Sequence, residues 1–322
     1  MLLWNNKPYH SLDYELRQIY GEKIYKIALD AGMTCPNRDG TCGTQGCIFC
    51  SAGGSGDFAV RKVSSETSTE ISIASQLAQG KQYFRGKNIG RHFIAYFQAY
   101  TNTYAPAARL EALYREALDE PSVVGISIAT RPDCLGDDVL SLLDRLNREY
   151  PDKFIWIELG LQTIHEDTAM LIRRGYPLSV FEQAVICLRE IAVPSIAHVI
   201  IGLPGENRSM MLETCRFLAE RDISGIKLQL LHVLKNTDLV ELYEKKTFDI
   251  LDMMEYIDII ISCLEVLPPD MVIHRVTGDG PRALLLAPLW SLDKRRVLNT
   301  LHQEMQRRGT WQSRTYETKK NA

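Results

Sequence analysis

Short apolar runs alternate with longer amphipathic stretches along most of the chain. β-rich runs fall at Lys26–Leu29, Phe93–Phe97, Val123–Ala129, Phe154–Leu159, Ile196–Ile201 and Gly225–Leu231. Between them apolar residues recur at helical spacing, as at Met211, Leu212, Cys215, Leu218 and Ala219, giving one apolar face per helix. Strands alternating with helices predict βαβ units and a parallel sheet. Six such units between Lys26 and Leu231 suit a barrel or partial barrel better than a single nucleotide-binding unit. Past Asp249 the pattern changes. Met253, Met254, Ile257, Ile260, Ile261 and Leu264 mark an amphipathic helix whose apolar stripe reads as core. A run with His274-Arg275-Val276-Thr277-Gly278-Asp279-Gly280 follows, then a final helix from about Leu292.

Polar residues cluster where the predicted strands end. Gln98-Ala99-Tyr100-Thr101-Asn102 follows the second strand and Thr130-Arg131-Pro132-Asp133 the third. Glu158-Leu159-Gly160-Leu161-Gln162 closes the fourth, and Gly202-Leu203-Pro204-Gly205-Glu206 follows the fifth. In βα barrels the C-terminal strand ends carry the active site. Ordinary turn chemistry also favours Gly, Pro, Asn and Asp. Four such segments in register, each with a charged or amide side chain, favour a site.

Composition excludes several classes. With 45% hydrophobic and 24% charged residues, the chain is neither disordered nor fibrous. No uncharged apolar run approaches the roughly 18 residues of a membrane span, and the N-terminus turns polar too early for a signal peptide. A soluble, cytoplasmic protein is expected. The net charge of -3 conceals a basic end: from Ser291 onward Lys294, Arg295, Arg296, Arg307, Arg308, Arg314, Lys319 and Lys320 face only Asp293, Glu304 and Glu317. That end is either a nucleic-acid contact or a solvated helix face with a frayed tail.

Eight cysteines without a secretory signal do not predict a disulfide framework. Four of them, Cys35, Cys42, Cys47 and Cys50, crowd one loop. Cys47 and Cys50 form its Cys-x-x-Cys pair, but no second knuckle or nearby His pair completes a structural zinc site. The residues after Cys50 make a poor helix start, which argues against a thioredoxin-like pair. Three thiolates on one long loop suit a 4Fe–4S cluster that keeps one iron open to bind and activate a small molecule. The spacing leaves open which of the four is spare.

The loop Cys35-Pro36-Asn37-Arg38-Asp39-Gly40, with Cys47-Ile48-Phe49-Cys50 after it, resembles the cluster loop of radical S-adenosylmethionine (SAM) enzymes. More narrowly, it resembles the YhcC/YtqA-like branch, related to the radical domain of the Elongator catalytic subunit. The strand-end segments Phe97–Tyr104, Thr130–Asp133, Glu158–Thr163, Gly202–Glu206 and His274–Asp279 match that branch in order. The resemblance implies an α/β partial (β/α)6 TIM-type barrel with a C-terminal α-rich extension. Its implied layout is an N-terminal extension over 1–20, a core over 21–248 with the cluster loop at 34–51, and an extension over 249–322 with the basic end.

By that resemblance Cys35, Cys47 and Cys50 bind a [4Fe–4S] cluster, and Cys42 is spare. Cys134, Cys187, Cys215 and Cys263 read as small buried hydrophobes. Gln98 to Tyr100 stands where the family carries Gly-Gly-Glu for the SAM amino group, and departs from it. Glu158 and Gln162 are candidates for the ribose hydroxyls or the substrate, since a carboxylate accepts two hydrogen bonds from a diol. Gly202, Pro204 and Gly205 match the motif that lets backbone approach adenine. A salt bridge for Glu158 and a plain turn for Gly202–Gly205 are the alternatives. Glu158, His232 and Lys235 are the catalytic or substrate-site candidates, whereas His198 reads as core. Arg131 either pairs with Asp133 or meets a substrate anion; His274 and Arg275 either reach an RNA phosphate or cap the barrel.

Three functions follow. The first is a radical SAM enzyme acting on the wobble uridine of tRNA, converting carboxymethylaminomethyl at C5 toward aminomethyl. No acetyltransferase domain follows the radical core in this sequence, so acetyl-CoA chemistry is not expected. The second is a radical enzyme on a small molecule or peptide, and the third a zinc- or cluster-binding adaptor without catalysis. A radical enzyme of either kind needs an external donor of the flavodoxin or ferredoxin type.

Overall fold

The computed structural model describes residues 2–54, 56, 59, 72–84 and 90–316. Glu317, Lys319 and Lys320 of the basic end lie outside them. Chain order is α1 (Leu12–Tyr20), β1 (Tyr25–Leu29), α2 (Ile73–Gln82), β2 (Phe93–Phe97), α3 (Ala107–Leu118), β3 (Val123–Thr130), α4 (Asp137–Glu149), β4 (Phe154–Gln162), α5 (Glu166–Leu171) and α6 (Leu178–Glu190). Then come β5 (Ser195–Ile201), α7 (Arg208–Ala219), β6 (Gly225–Leu230), β7 (Val233–Leu234), α8 (Leu239–Glu244), α9 (Met253–Val266), β8 (Val272–Arg275), β9 (Leu285–Ala287) and α10 (Lys294–Arg307). All six expected strands are present, the fourth running three residues further than expected.

The chain forms two compact units. The first comprises residues 16–160 and 175–195. In it β1 pairs with β2, β2 with β3 and β3 with β4, all parallel. Parallel strands are covered on both faces, which is why β2 and β3 read as continuous apolar runs rather than alternating ones. β2 is buried along its whole length. The register Tyr96↔Ser127↔Trp156, with Lys26 on β1 opposite Ile94, sets a row of polar and aromatic side chains across these strands.

The second unit comprises residues 1–15, 161–174 and 196–322. β5 pairs parallel with β6, and β6 parallel with β8, with a register shift between Ile226 and Lys227. The hydropathy pattern did not predict β8. Four residues between a Pro-Pro pair and a Gly-rich turn carry no periodic signal, and pairing with β6 makes them a strand. The antiparallel β7–β9 pair was missed for the same reason. The N-terminal segment is tied to β8 by the Ile273 N–H, which donates to the His10 carbonyl at 2.7 Å. Gln312, buried, accepts from the His10 N–H at 2.8 Å.

α9 begins with a capping box, the Asp252 side chain accepting from the Met254 and Glu255 N–H groups and Glu255 accepting from the Asp252 N–H. Ile257, Ile260, Ile261 and Leu264 are buried as the stripe predicted, each contributing about 1.5–3 kcal/mol. Met254 instead lies exposed. No helix among the described residues is long and apolar enough to cross a membrane.

Candidate active site

In the first unit, the cluster loop is folded largely by its own backbone. The N–H groups of Arg38 and Asp39 donate to the Cys35 carbonyl at 2.8 and 3.2 Å, and those of Cys42 and Gly43 to the Pro36 carbonyl at 2.8 and 3.1 Å. The Gly46 N–H donates to the Asn37 carbonyl at 2.7 Å, bringing Cys47 back beside the first turn. Gly46 has φ +73°, and a Cβ there would lie 3.0 Å from the Arg38 side chain, so this return requires glycine. The Cys50 N–H donates to the Cys47 carbonyl at 3.0 Å and closes the Cys-x-x-Cys turn.

Asn37 and Arg38 do more than the sequence alone assigned them. Buried Asn37 donates through Nδ2 to Cys47 Sγ at 3.6 Å. Arg38 donates to the carbonyls of Cys50 and Ser51 at 2.9 and 2.7 Å and lies 5.8 Å from the centre of the Tyr100 ring. Tyr100, which follows β2 with a left-handed φ of +60°, donates its N–H to the Gly54 carbonyl at 2.7 Å and its hydroxyl to the Ala52 carbonyl at 2.5 Å. A Cβ on Gly54 would overlap the Tyr100 ring. The segment expected to meet SAM therefore straps the cluster loop. Gln98 lies half-buried at the start of that segment.

Arg131 pairs with Asp133 through two bonds of 2.9 and 2.6 Å and sits 4.9 Å from the Tyr176 ring centre. Burial lowers the guanidinium pKa, but the Asp133 pairing outweighs it and the net shift is upward. Gly175 stands between Asn37 and Arg131, where a Cβ would lie 2.6 Å from Asn37 Oδ1.

The donor set fits an iron–sulfur cluster. Burial pushes the Cys47 thiol up to about 12; nearby Cys50 and Cys35 add to this, while Asn37 and Arg131 oppose it. The three thiols share one electrostatic neighbourhood. Among the described residues no three His, Cys, Asp or Glu side chains close on a single ion. A cubane takes each thiolate at a separate iron, and three thiols within one electrostatic neighbourhood can supply them. Cys42 is exposed and lines a separate cleft with Pro36, Tyr104 and Cys134. Cys215 and Cys263 are buried as expected, whereas Cys134 and Cys187 are partly exposed, because each sits at the edge of its apolar stretch.

Glu158 lies mid-strand in β4. Its carboxylate, 1% exposed, accepts from Lys26 Nζ and Ser127 Oγ, both at 2.7 Å. Lys26 also lies over the Tyr96 and Trp156 rings at 4.8 and 5.8 Å. The sequence hint was a lysine inside the apolar run Tyr25-Lys26-Ile27-Ala28-Leu29.

In the second unit, Gln162 ends β4 with φ +68°, and its buried Oε1 has no hydrogen-bond partner among the described residues. Gly202 and Gly205 have φ +90° and +84°, and Pro204 between them is buried. Arg174, 2% exposed, donates to the Leu161 and Thr163 carbonyls at 3.2 and 2.6 Å and fixes the end of β4; periodicity gave no sign of it. His198 Nδ1 accepts from Gln229 at 3.3 Å, but it is the one residue of β5 that is not buried, so the expected core role does not hold.

His232 lies between β6 and β7 against the glycines of the His274–Gly280 motif. A Cβ on Gly278 would lie 2.8 Å from the ring and one on Gly280 3.3 Å. The motif is thus a cradle for an imidazole. The buried Nε2 has no partner among the described residues. Burial lowers the His232 pKa from 6.5 to about 4, Arg275 helping and Asp279 opposing. The folded state therefore binds fewer protons than the unfolded one between those values, and stability falls as pH drops from 6.5 to 4. The loss is roughly 3 kcal/mol at most. Urea titrations across that range should show a shallower pH slope for His232→Gln; an unchanged slope would refute the assignment. Exposed Lys235, just after β7, donates to the Ala283 carbonyl at 3.3 Å.

Comparison with known proteins shows the family. Residues 39–218 match the Radical SAM superfamily and residues 223–307 the Radical_SAM C-terminal domain. YtqA of Bacillus subtilis (strain 168) is 44% identical over 311 residues, 97% of this chain and 94% of that protein. A tRNA uridine(34) acetyltransferase of Dehalococcoides mccartyi (strain CBDB1) is 27% identical over 188 residues, 56% of this chain but 39% of that protein. The solved structure of Methanocaldococcus infernus Elp3 superimposes with a TM-score of 0.66 at 14% identity, covering 89% of this chain and 64% of that one. That likeness shows the fold, a partial (β/α) barrel with a helical C-terminal extension. The chain belongs to the radical SAM superfamily, in its YhcC/YtqA-like branch related to the radical domain of Elongator, and is a radical SAM enzyme whose cofactors are a [4Fe–4S] cluster and SAM.

Proposed function

We propose that this enzyme modifies tRNA at the wobble uridine, taking a carboxymethylaminomethyl side chain at C5 toward aminomethyl. The observation that carries this reading is the shared sequence with a protein named as a tRNA uridine(34) acetyltransferase. Residues 21–248 form the catalytic core and 249–322 an extension with the basic end. When bound, the cluster supplies the electron that splits SAM into methionine and a 5′-deoxyadenosyl radical. Cys35, Cys47 and Cys50 would hold the cluster through their thiolates. Asn37 and Arg38 fix the loop around them, the Asn37 N–H placed on the Cys47 sulfur. In this reading Gln98 and Tyr100 are the SAM candidates of the first unit, and Gln162, Gly202, Pro204 and Gly205 those of the second. Of the Lys26–Glu158 pair only the lysine side chain is partly exposed, so Lys26 rather than Glu158 presents that pair to a ligand. His232, neutral at physiological pH, accepts a hydrogen bond at Nε2 from the substrate, and Lys235 binds its anionic part. A flavodoxin or ferredoxin in the cytoplasm supplies the electron.

Anaerobically reconstituted enzyme, given SAM, dithionite and tRNA carrying the carboxymethylaminomethyl group, should form 5′-deoxyadenosine and convert the wobble nucleoside to its aminomethyl form. Nucleoside mass spectrometry reads the conversion. Turnover of SAM with every tRNA nucleoside unchanged would refute the tRNA reading and leave the radical enzyme standing.

A further inference from the structure

Among the described residues five helices open on acids: Asp13 and Glu15 in α1, Asp137 and Asp138 in α4, Glu166 and Asp167 in α5, Glu241 in α8, and Glu255 in α9. Carboxylates there complement the positive end of the helix dipole. Where a cation opens a helix, as Arg208 does in α7, an acid answers it, in that case Asp258. α10 departs from the first pattern, and of its three leading cations only Lys294 is answered, by Asp279. It opens on Lys294-Arg295-Arg296 with no acid in its first turn. Arg295 and Arg296 are exposed, and neither has an ion-pair or side-chain hydrogen-bond partner among the described residues. Three consecutive cations at the positive end of a dipole oppose local stability. Such a breach of local electrostatics is expected where function requires it.

The neighbouring segments add to the charge. Lys294 and Arg275 share Asp279, at 2.7 and 3.6 Å. Lys235 is held against the strand that follows exposed Arg282, its N–H donating to the Leu284 carbonyl at 2.7 Å. The acids at hand are engaged: Asp279 by that pair of cations, and Asp293 as the cap that accepts from the Arg296 N–H at 3.0 Å. Val297, Leu301 and Met305 bury the opposite face of α10 and fix the first turn outward.

We infer that the first turn of α10, with Lys235, Arg275 and Arg282, binds the phosphodiester backbone of RNA; this rests on the tRNA reading above. A phosphate there meets the exposed Arg295 and Arg296 guanidinium forks, which favour an anion. Backbone contacts of this kind position a nucleic acid without reading its sequence. The surface holds the body of the tRNA, while the chemistry occurs at the cluster.

The test is tRNA binding by the reconstituted holoenzyme across a salt series, comparing wild type with Arg295→Glu/Arg296→Glu. The double variant should bind at least about tenfold more weakly at low salt, with a salt slope smaller by about one per lost phosphate contact. Its RNA-independent formation of 5′-deoxyadenosine should match wild type. Its melting temperature should rise, since acids now face the dipole. A charge-matched control, Arg307→Glu/Arg314→Glu, alters the far end of the same region and should leave affinity within about twofold of a simple net-charge effect. Wild-type affinity and slope in the Arg295→Glu/Arg296→Glu variant would overturn the surface assignment alone. Intact tRNA binding with loss of flavodoxin-driven but not dithionite-driven cleavage would give the surface to an acidic electron donor and also overturn it. Failure of the wild-type enzyme to bind tRNA at any salt would bring down the functional reading and this inference together.

Discussion

Cys35→Ala, Cys47→Ala and Cys50→Ala are each expected to abolish cluster assembly and SAM cleavage, while Cys42→Ala leaves both at wild-type level. The three thiols lie in one electrostatic neighbourhood, whereas Cys42 is exposed along a separate cleft. Two protein thiolates cannot hold a cubane that needs three to leave one iron open. The loop is folded mainly by backbone bonds from Cys35, Pro36 and Asn37, so single alanine changes should leave the apo-protein folded by far-UV circular dichroism. Iron and acid-labile sulfide per chain, with 5′-deoxyadenosine after dithionite, give the readout. A cluster-free Cys42→Ala protein, or a fully loaded Cys35→Ala one, would reassign the ligands.

Glu158→Leu should cost about 3 kcal/mol of stability, the low end for breaking a buried ion pair, because Lys26 keeps 20% of its side chain exposed and water screens part of the orphaned charge. Replacing both partners, Lys26→Met/Glu158→Leu, should recover most of that loss, since two apolar groups of similar size leave no buried charge unpaired. Urea denaturation of the apo-proteins measures the cycle. Equal destabilisation of the single and double variants would remove the pair from the structural account. A double variant that regains stability yet no longer binds SAM would place the Lys26–Glu158 pair in the cofactor site.

The two predictions differ in how far the residues themselves announced them. The cysteine loop could be read because ligand chemistry restricts it to a few residue types at fixed spacing, and its flanking Cys-Pro-Asn-Arg-Asp-Gly run is rare. The same run hid the work of Asn37 and Arg38. Their bonds go to the Cys47 sulfur and to the Cys50 and Ser51 carbonyls, ten to thirteen residues away. Glu158 was legible as a carboxylate in an apolar strand, with a salt bridge among its readings, but its partner was not, because Lys26 is 132 positions distant. Tyr100 was placed correctly after the second strand. Its strapping of the loop depends on a left-handed backbone and a ring fitted against Gly54.

What the sequence determined by itself is local and periodic. Its apolar runs and amphipathic stretches settle six parallel strands and the helices between them, because burial on both faces requires such runs. Its cysteine spacing favours an iron–sulfur cluster over structural zinc, because a single Cys-x-x-Cys pair has no second knuckle; the resemblance of the whole loop named the cofactor. Tertiary structure alone decided the partners: β8 beside β6, Lys26 on Glu158, and the glycines of the His274–Gly280 motif around His232. Hydrogen bonds and ion pairs between distant residues depend on where the backbone brings them. No periodicity records that, since the energy of each pair comes from the burial that surrounds it.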